Sequence, residues 1–293
     1  CCRDDYGAGV ATVSAWAGIH YFASRHGFHA PGDGVGEAGD GLLLTWPEGN
    51  AWLSRRLAAP LGGRLRTGHS VLRIASTARG VEVDALDHAS GTVLRWQARH
   101  CISALPLFIA ARVVQSPPPA LPAAAAMLRY APWLVANVHI DAPLYDRPGA
   151  PPSWDNVVYG SAGLGYVDAM HQSLRPVPGA TVLTCYRALG DAPDGRRQLR
   201  DAPWTHWRDL LLAELATAHP DLPRKATHMA LTRYGHAMAM PTPGTRGHPA
   251  LQALRTPPAA GQRLHFAHSD LAGYSVFEEA FTAGHRVAHA LRP

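Results

Sequence analysis

Apolar residues return at helical spacing over residues 13–25, where Val13, Trp16, Ala17, Ile19, His20 and Phe22 make one broad face. They do so again over 50–61, until Gly62 and Gly63 stop the run. The period then shortens to two. Strands are predicted over 70–75, 80–86, 92–96 and 99–104, forming a meander with a turn at Ser90 and Gly91 that Leu105 and Pro106 close. Residues 107–114 read as a short helix. Pro117, Pro118 and Pro119 can continue neither element and mark a boundary. Beyond them the texture turns aromatic and β-branched, with strands over 133–140, 156–159, 165–168 and 180–186. The spacing of Trp204, Trp207, Leu210, Leu211, Leu215 and Ala218 predicts a helix over 203–218. A strand over 225–234, an irregular loop over 235–247 and a short strand over 264–267 follow. A loop over 268–274 then leads to a helix from Val276 to about Leu291, its start marked by Ser275 and Glu278 at capping-box spacing. The order of elements is that of a mixed α/β (α+β) protein.

At 293 residues and 47% hydrophobic content, the chain has material for two domains with buried cores. No apolar run approaches the roughly 18 residues of a spanning helix, so no stable membrane insertion is expected. The net charge of +5 is scattered, and no basic run interleaved with aromatics speaks for nucleic acid. The four cysteines form no C-x-x-C pair, and Cys101 and Cys185 lie in apolar strands, which suits a reducing cytoplasm. His285 and His289 share a helix face, but Arg286 stands where a zinc-protease motif needs its glutamate, so no metal is expected. In the stretch GDGVGEAGD, Gly34, Gly36 and Gly39 match the dinucleotide pattern G-x-G-x-x-G. That pattern works when glycines leave a parallel strand and open a helix, with an acid about 20 residues on. Here they lead into Leu42-Leu43-Leu44-Thr45, and Leu57-Ala58-Ala59-Pro60 occupies the place of the acid. A surface loop is the reading that remains.

The end of the chain carries the chemistry. A strand, a loop and a capped helix bring backbone N–H groups and a positive dipole end toward an anionic or electron-rich ligand. Ala280, Ala283, Gly284 and Ala288 keep one side of that helix small. The segment from Phe266 through Ala280, with Gly284 and Ala288 downstream, resembles the C-terminal flavin motif of the FAD-dependent amine oxidase and phytoene-desaturase-like superfamily. Two further blocks are similar to that family in the same order. One runs from Trp46-Pro47-Glu48-Gly49-Asn50 through Leu53, Leu57, Gly62, Gly63, Val71, Ile74, Val81 and Val83; the other is Cys101-Ile102-Ser103-Ala104-Leu105-Pro106.

The resemblance implies a partial FAD-binding Rossmann-like domain with lead helix and meander over 1–115, a mixed-sheet substrate domain over 116–235, and a return to the FAD domain over 236–293. It implies non-covalent FAD. Ser269 and Asp270 would lie near the pyrophosphate or ribityl chain, and Gly273, Tyr274, Ser275, Val276 and Phe277 would present backbone at the N1/C2=O edge of the ring. Val71 would contact the adenine side, with Ala104, Leu105 and Pro106 passing close to the cofactor. The substrate would be a small molecule whose C–N or C–C bond yields a hydride, met by His236, Tyr159 and Tyr166; no catalytic side chain is assigned, because the ring carries the chemistry. Two departures stand out. The family's opening G-x-G-x-x-G unit is not found and is expected upstream of Cys1, which would leave this piece binding FAD weakly and inactive alone. The strand over 133–140 has no lysine, where classical amine oxidases place one near the flavin. A lipid- or carotenoid-type desaturase or isomerase would instead predict an apolar entrance near Trp133 and Trp154, and a non-catalytic scaffold would hold no flavin.

Overall fold

The computed structural model describes residues 2–25, 45–149, 153–173, 175, 177–256 and 261–291. The glycine-rich stretch 32–40 and the apolar residues 42–44 after it lie outside the described residues. In chain order the elements are α1 (Cys2–Tyr6), α2 (Ala15–Arg25), α3 (Ala51–Ala58), β1 (His69–Ser76), β2 (Val81–Asp87), β3 (Val93–Ala98), β4 (Cys101–Ser103), α4 (Leu107–Val113), β5 (Val114–Gln115), α5 (Ala120–Met127) and β6 (Tyr130–Ile140). There follow β7 (Asp155–Asn156), β8 (Tyr166–Asp168), β9 (Thr181–Ala188), α6 (Gly195–Asp201), α7 (Trp204–Ala216), α8 (Leu222–Lys225), β10 (Ala226–Ala239), α9 (Pro249–Arg255), β11 (Leu264–Phe266) and α10 (Phe277–Ala290). They make a mixed α/β fold of two compact units. The first comprises Cys1–Ala11, Ala15–Gly62 and Ala131–Ala237; the second comprises Thr12–Ser14, Gly63–Tyr130 and Met238–Pro293.

The first unit is built on a five-stranded sheet in the order β10-β6-β9-β8-β7. Its core follows the period of two in β6: Leu134, Ala136, Val138 and Ile140 share a buried cluster with Leu183, Cys185 and Tyr166 of the sheet. Leu199 of α6, Trp207, Leu211 and Leu215 of α7 and Leu222 of α8 complete it. Burying one such leucine contributes about 2 kcal/mol. In the second unit β1, β2 and β3 form an antiparallel meander, and β5 joins β1 in parallel. Leu107 and Ala110 of α4, Leu121 and Ala124 of α5, and Ala250, Leu251 and Leu254 of α9 pack there with Ile74, Val81, Leu264 and Phe266.

Several sequence expectations need correction. The fourth strand of the predicted meander shrinks to β4 and leaves the meander, pairing in parallel with β11 through Cys101↔Leu264, Ile102↔His265 and Ser103↔Phe266. A period of two specifies a strand, not its partner. The loop expected from Gly235 starts late, because pairing with β6 carries β10 on to Ala239. The three prolines stop one element and start another: Pro119 sits at the N-cap of α5 with φ −53°, the helical value its ring imposes, ahead of an alanine-rich run. The capping box does not form. Val276 is the N-cap of α10 and no side chain caps it, while Ser275 Oγ accepts from the Ala239 amide at 2.9 Å. Nor is the small side of α10 one buried face: Ala283 is buried, Ala280 and Ala288 are exposed, and Gly284 faces open space.

Candidate functional site

The parallel pairing of β4 with β11 sets two chain turns side by side. Both strands end together, where the Ala267 amide donates to Ser103 O at 3.0 Å. One strand leads into Ala104, Leu105 and Pro106; the other leads into His268 and a 3₁₀ turn over Ser269–Ala272. Loops at the carboxyl ends of adjacent parallel strands are where open α/β sheets bind ligands.

Asp270 locks these turns to one another. It is fully buried, and its Oδ2 accepts from the Leu107 amide at 2.9 Å and from the Tyr130 hydroxyl at 2.5 Å. The first bond puts a carboxylate on the opening amide of α4, whose N-cap, Pro106, offers no side-chain cap. Burial, and then the Asp270 charge, push the Tyr130 hydroxyl upward from its ordinary pKa, so it stays a donor. His268 Nδ1 accepts from the Asp270 amide at 3.1 Å, and a nitrogen in that role has no proton to give Asp270 Oδ1, 3.3 Å away. Among the described residues, Oδ1 is buried without a hydrogen-bond partner.

Past the turn, Gly273 takes φ 86°, and a Cβ there would stand 2.5 Å from Thr245 Cγ2. Only glycine fits both the conformation and the space. Tyr274 is buried and donates to Glu279 Oε1 at 2.9 Å. Val276 is extended, so the first amides of α10 open without a side-chain acceptor, beside Phe277, which is exposed and stacks on Phe281 at 5.9 Å. Val71 lies on β1 at a register shift opposite Ala85 and packs on the core of this unit.

The predicted site residues thus separate into groups. Ala104, Leu105, Pro106, Ser269 and Asp270 meet through β4, β11 and the Asp270–Leu107 bond, and Gly273, Tyr274, Ser275, Val276 and Phe277 continue from them. Tyr130, Leu107 and Thr245 are members that sequence reasoning missed. The partners of Asp270 lie 163 and 140 residues away, and no local pattern announces them.

On the first unit the three predicted pocket residues are dispersed. Tyr159 is fully exposed, His236 is exposed on the edge strand β10, and Tyr166 is buried on β8, with β6 and β9 lying between those two strands. Tyr166 donates to or accepts from His219 Nε2 at 2.8 Å at the wall of a cavity of about 700 Å³ that Trp154, Asp168 and His171 also line. Burial, then Asp168, pushes the Tyr166 hydroxyl up to about 12. Burial lowers His219 from its ordinary value. Lys225, the chain's one lysine, is committed elsewhere: its Nζ is 2.7 Å from the buried Asp221 carboxylate and 3.9 Å from the centre of the Tyr145 ring. Burial alone would raise the Asp221 carboxyl, but Lys225 and the Tyr145 amide outweigh it and hold it below the ordinary value.

Solved amine oxidases share this fold. A cyclohexylamine oxidase from Brevibacterium oxydans IH-35A superposes with a TM-score of 0.60 at 19% identity, covering 83% of this chain and 52% of that one. A putrescine oxidase redesigned in its cofactor binding gives 0.61 at 17% identity, covering 83% and 53%; the wild type bound to putrescine gives 0.59, also at 17%, covering 83% and 52%. The chain spans about half the length of these structures. No curated protein matches it. The sequence profile of flavin containing amine oxidoreductases, by contrast, matches residues 6–292. The chain belongs to that family.

Proposed function

We propose that the chain is part of an FAD-dependent oxidoreductase that oxidises a C–N or C–C bond of a small organic substrate, passing the hydride of its C–H to the flavin. The observation that carries this reading is the pairing of β4 with β11, which gathers the turns at 104–106 and 269–270 at the carboxyl ends of two parallel strands, just ahead of the uncapped amides of α10. Those amides suit the electron-rich N1/C2=O edge of a flavin, and the helix dipole favours negative charge there. Bound in that place, FAD would supply the two-electron acceptor.

The chain's own residues hold and shape. Asp270 is fully buried and in this reading acts by fixing the backbone, with Ser269, 8% exposed, beside it. Asp270 is in this reading a positioning residue: it ties the flavin turn to α4. Gly273 sets the direction in which the chain enters α10. Val71 contributes backbone on the adenine side. Substrate contact is assigned to Tyr166, at the wall of its cavity, and to Tyr159 and His236 on the resemblance. No cysteine flanks residues 269–277, in keeping with non-covalent FAD. The free thiols of Cys101 and Cys185 are in keeping with a cytoplasmic setting. A lipid-like substrate is the second reading, favoured by Trp154 at the cavity wall among Pro143, Leu144, Met170 and Pro178.

The full-length product that includes this chain is expected to purify with bound FAD, and an amine should bleach its visible spectrum under anaerobic conditions. Bleaching by an apolar polyene and not by amines would favour the second reading. A full-length protein that is colourless and gains no flavin on reconstitution refutes both.

A further inference from the structure

Away from the flavin turn, the second unit holds a small cavity lined by Arg255 at the end of α9, by Gln262 and His265 at β11, and by Arg286 and Val287 of α10. Its free space is about 20 Å³, room for one water-sized guest. Two groups at this cavity are unsatisfied. Among the described residues, Arg286 Nη2 is buried without a hydrogen-bond partner, and so is Nδ1 of His265, a residue only 3% exposed. No carboxylate lines the cavity among the described residues. Gln262 donates its amide to Leu264 O at 2.9 Å, and Glu279, the acid that acts on Arg286, already accepts from Tyr274.

Burial, and then the like charge of Arg255, lower the Arg286 guanidinium from its ordinary value. A buried N–H without an acceptor, on a cation beside another cation, is an arrangement that folding disfavours unless something neutralises it. The second N–H comes from His265. Its Nε2 lies 3.2 Å from His100 Nδ1; when it accepts from His100, the His265 proton sits on Nδ1, the orphaned atom. We propose that this cavity is a halide-sized anion site, in which chloride accepts from Arg286 Nη2 and His265 Nδ1 and balances Arg255. The free space matches a single monatomic ion. The assignment is independent of the flavin reading.

Chloride-35 line broadening of the purified chain, measured at constant ionic strength with gluconate as the replacing anion, tests the site. Wild-type protein is expected to broaden the chloride signal beyond an Arg286→Met variant, and bromide should compete for the excess. Equal broadening in the two proteins, or no competition, overturns the proposal. Crystals of wild-type protein soaked in bromide provide the check that needs no variant: an anomalous peak between Arg286 and His265 supports the site, and a cavity without one refutes it.

Discussion

Asp270, fully buried, ties the turn over 269–272 to α4 and to Tyr130. Replacing it with alanine leaves the Leu107 amide and the Tyr130 hydroxyl without their acceptor in a dry interior, at a cost of about 2–4 kcal/mol. Asp270→Asn keeps an acceptor oxygen for both. Urea unfolding should therefore show a large loss for Asp270→Ala and a smaller one for Asp270→Asn, with flavin retention following the same order. Flavin loss in Asp270→Ala at unchanged stability would instead mean direct contact. Two histidines carry a second consequence at this scale. Burial lowers His265 and His219 below their ordinary value of 6.5, with His100 adding to the effect on His265. Below that value the unfolded chain binds protons that the folded one refuses, so stability is complete above about pH 6.5 and is lost as the pH falls. His265→Gln should flatten the pH dependence of the urea midpoint between about pH 6.5 and 5; an unchanged slope would assign the loss to other groups.

Among the elements, α10 divides into positions that packing restricts and positions it leaves open. Ala283 is buried against Ala267 and Val287, so Ala283→Leu overpacks and should cost about 1–3 kcal/mol. One residue on, a Cβ at Gly284 meets nothing within 4 Å, and Gly284→Ala should raise stability by about 0.5–1 kcal/mol through helix propensity. Thermal melts of the two variants should move in opposite directions. Gly273→Ala should destabilise whatever the propensity, since φ 86° and Thr245 both oppose the methyl group. The elements also show what the sequence could reveal. The meander, β6, β9, α7 and α10 were legible because each holds a period over enough residues to be read. The short helices α5, α6, α8 and α9 were not, since none exceeds 8 residues and their stability comes from tertiary burial. Within the site, Ser269 to Phe277 stood out as a contiguous motif, whereas Tyr130, the first residue of β6, carried no local sign of its bond to Asp270.

For the whole molecule, each unit has its own buried cluster, and no helix among the described residues is long and apolar enough to cross a membrane. Cys185 sits deep in the first cluster, its thiol pushed up to about 12 by burial, so it is a packing residue and resists alkylation in the native state. The three-way junction of Leu107, Tyr130 and Asp270 has a consequence in time. Its bonds span 163 and 140 residues, so no local segment can assemble it, and loop closure must be completed across about half the chain before either bond contributes. During synthesis α4 and β6 would emerge with their acceptor still unmade, and the turn that we assign to flavin would take shape only after its last strand arrives. The cofactor would then enter late, as the ligand of a nearly finished fold.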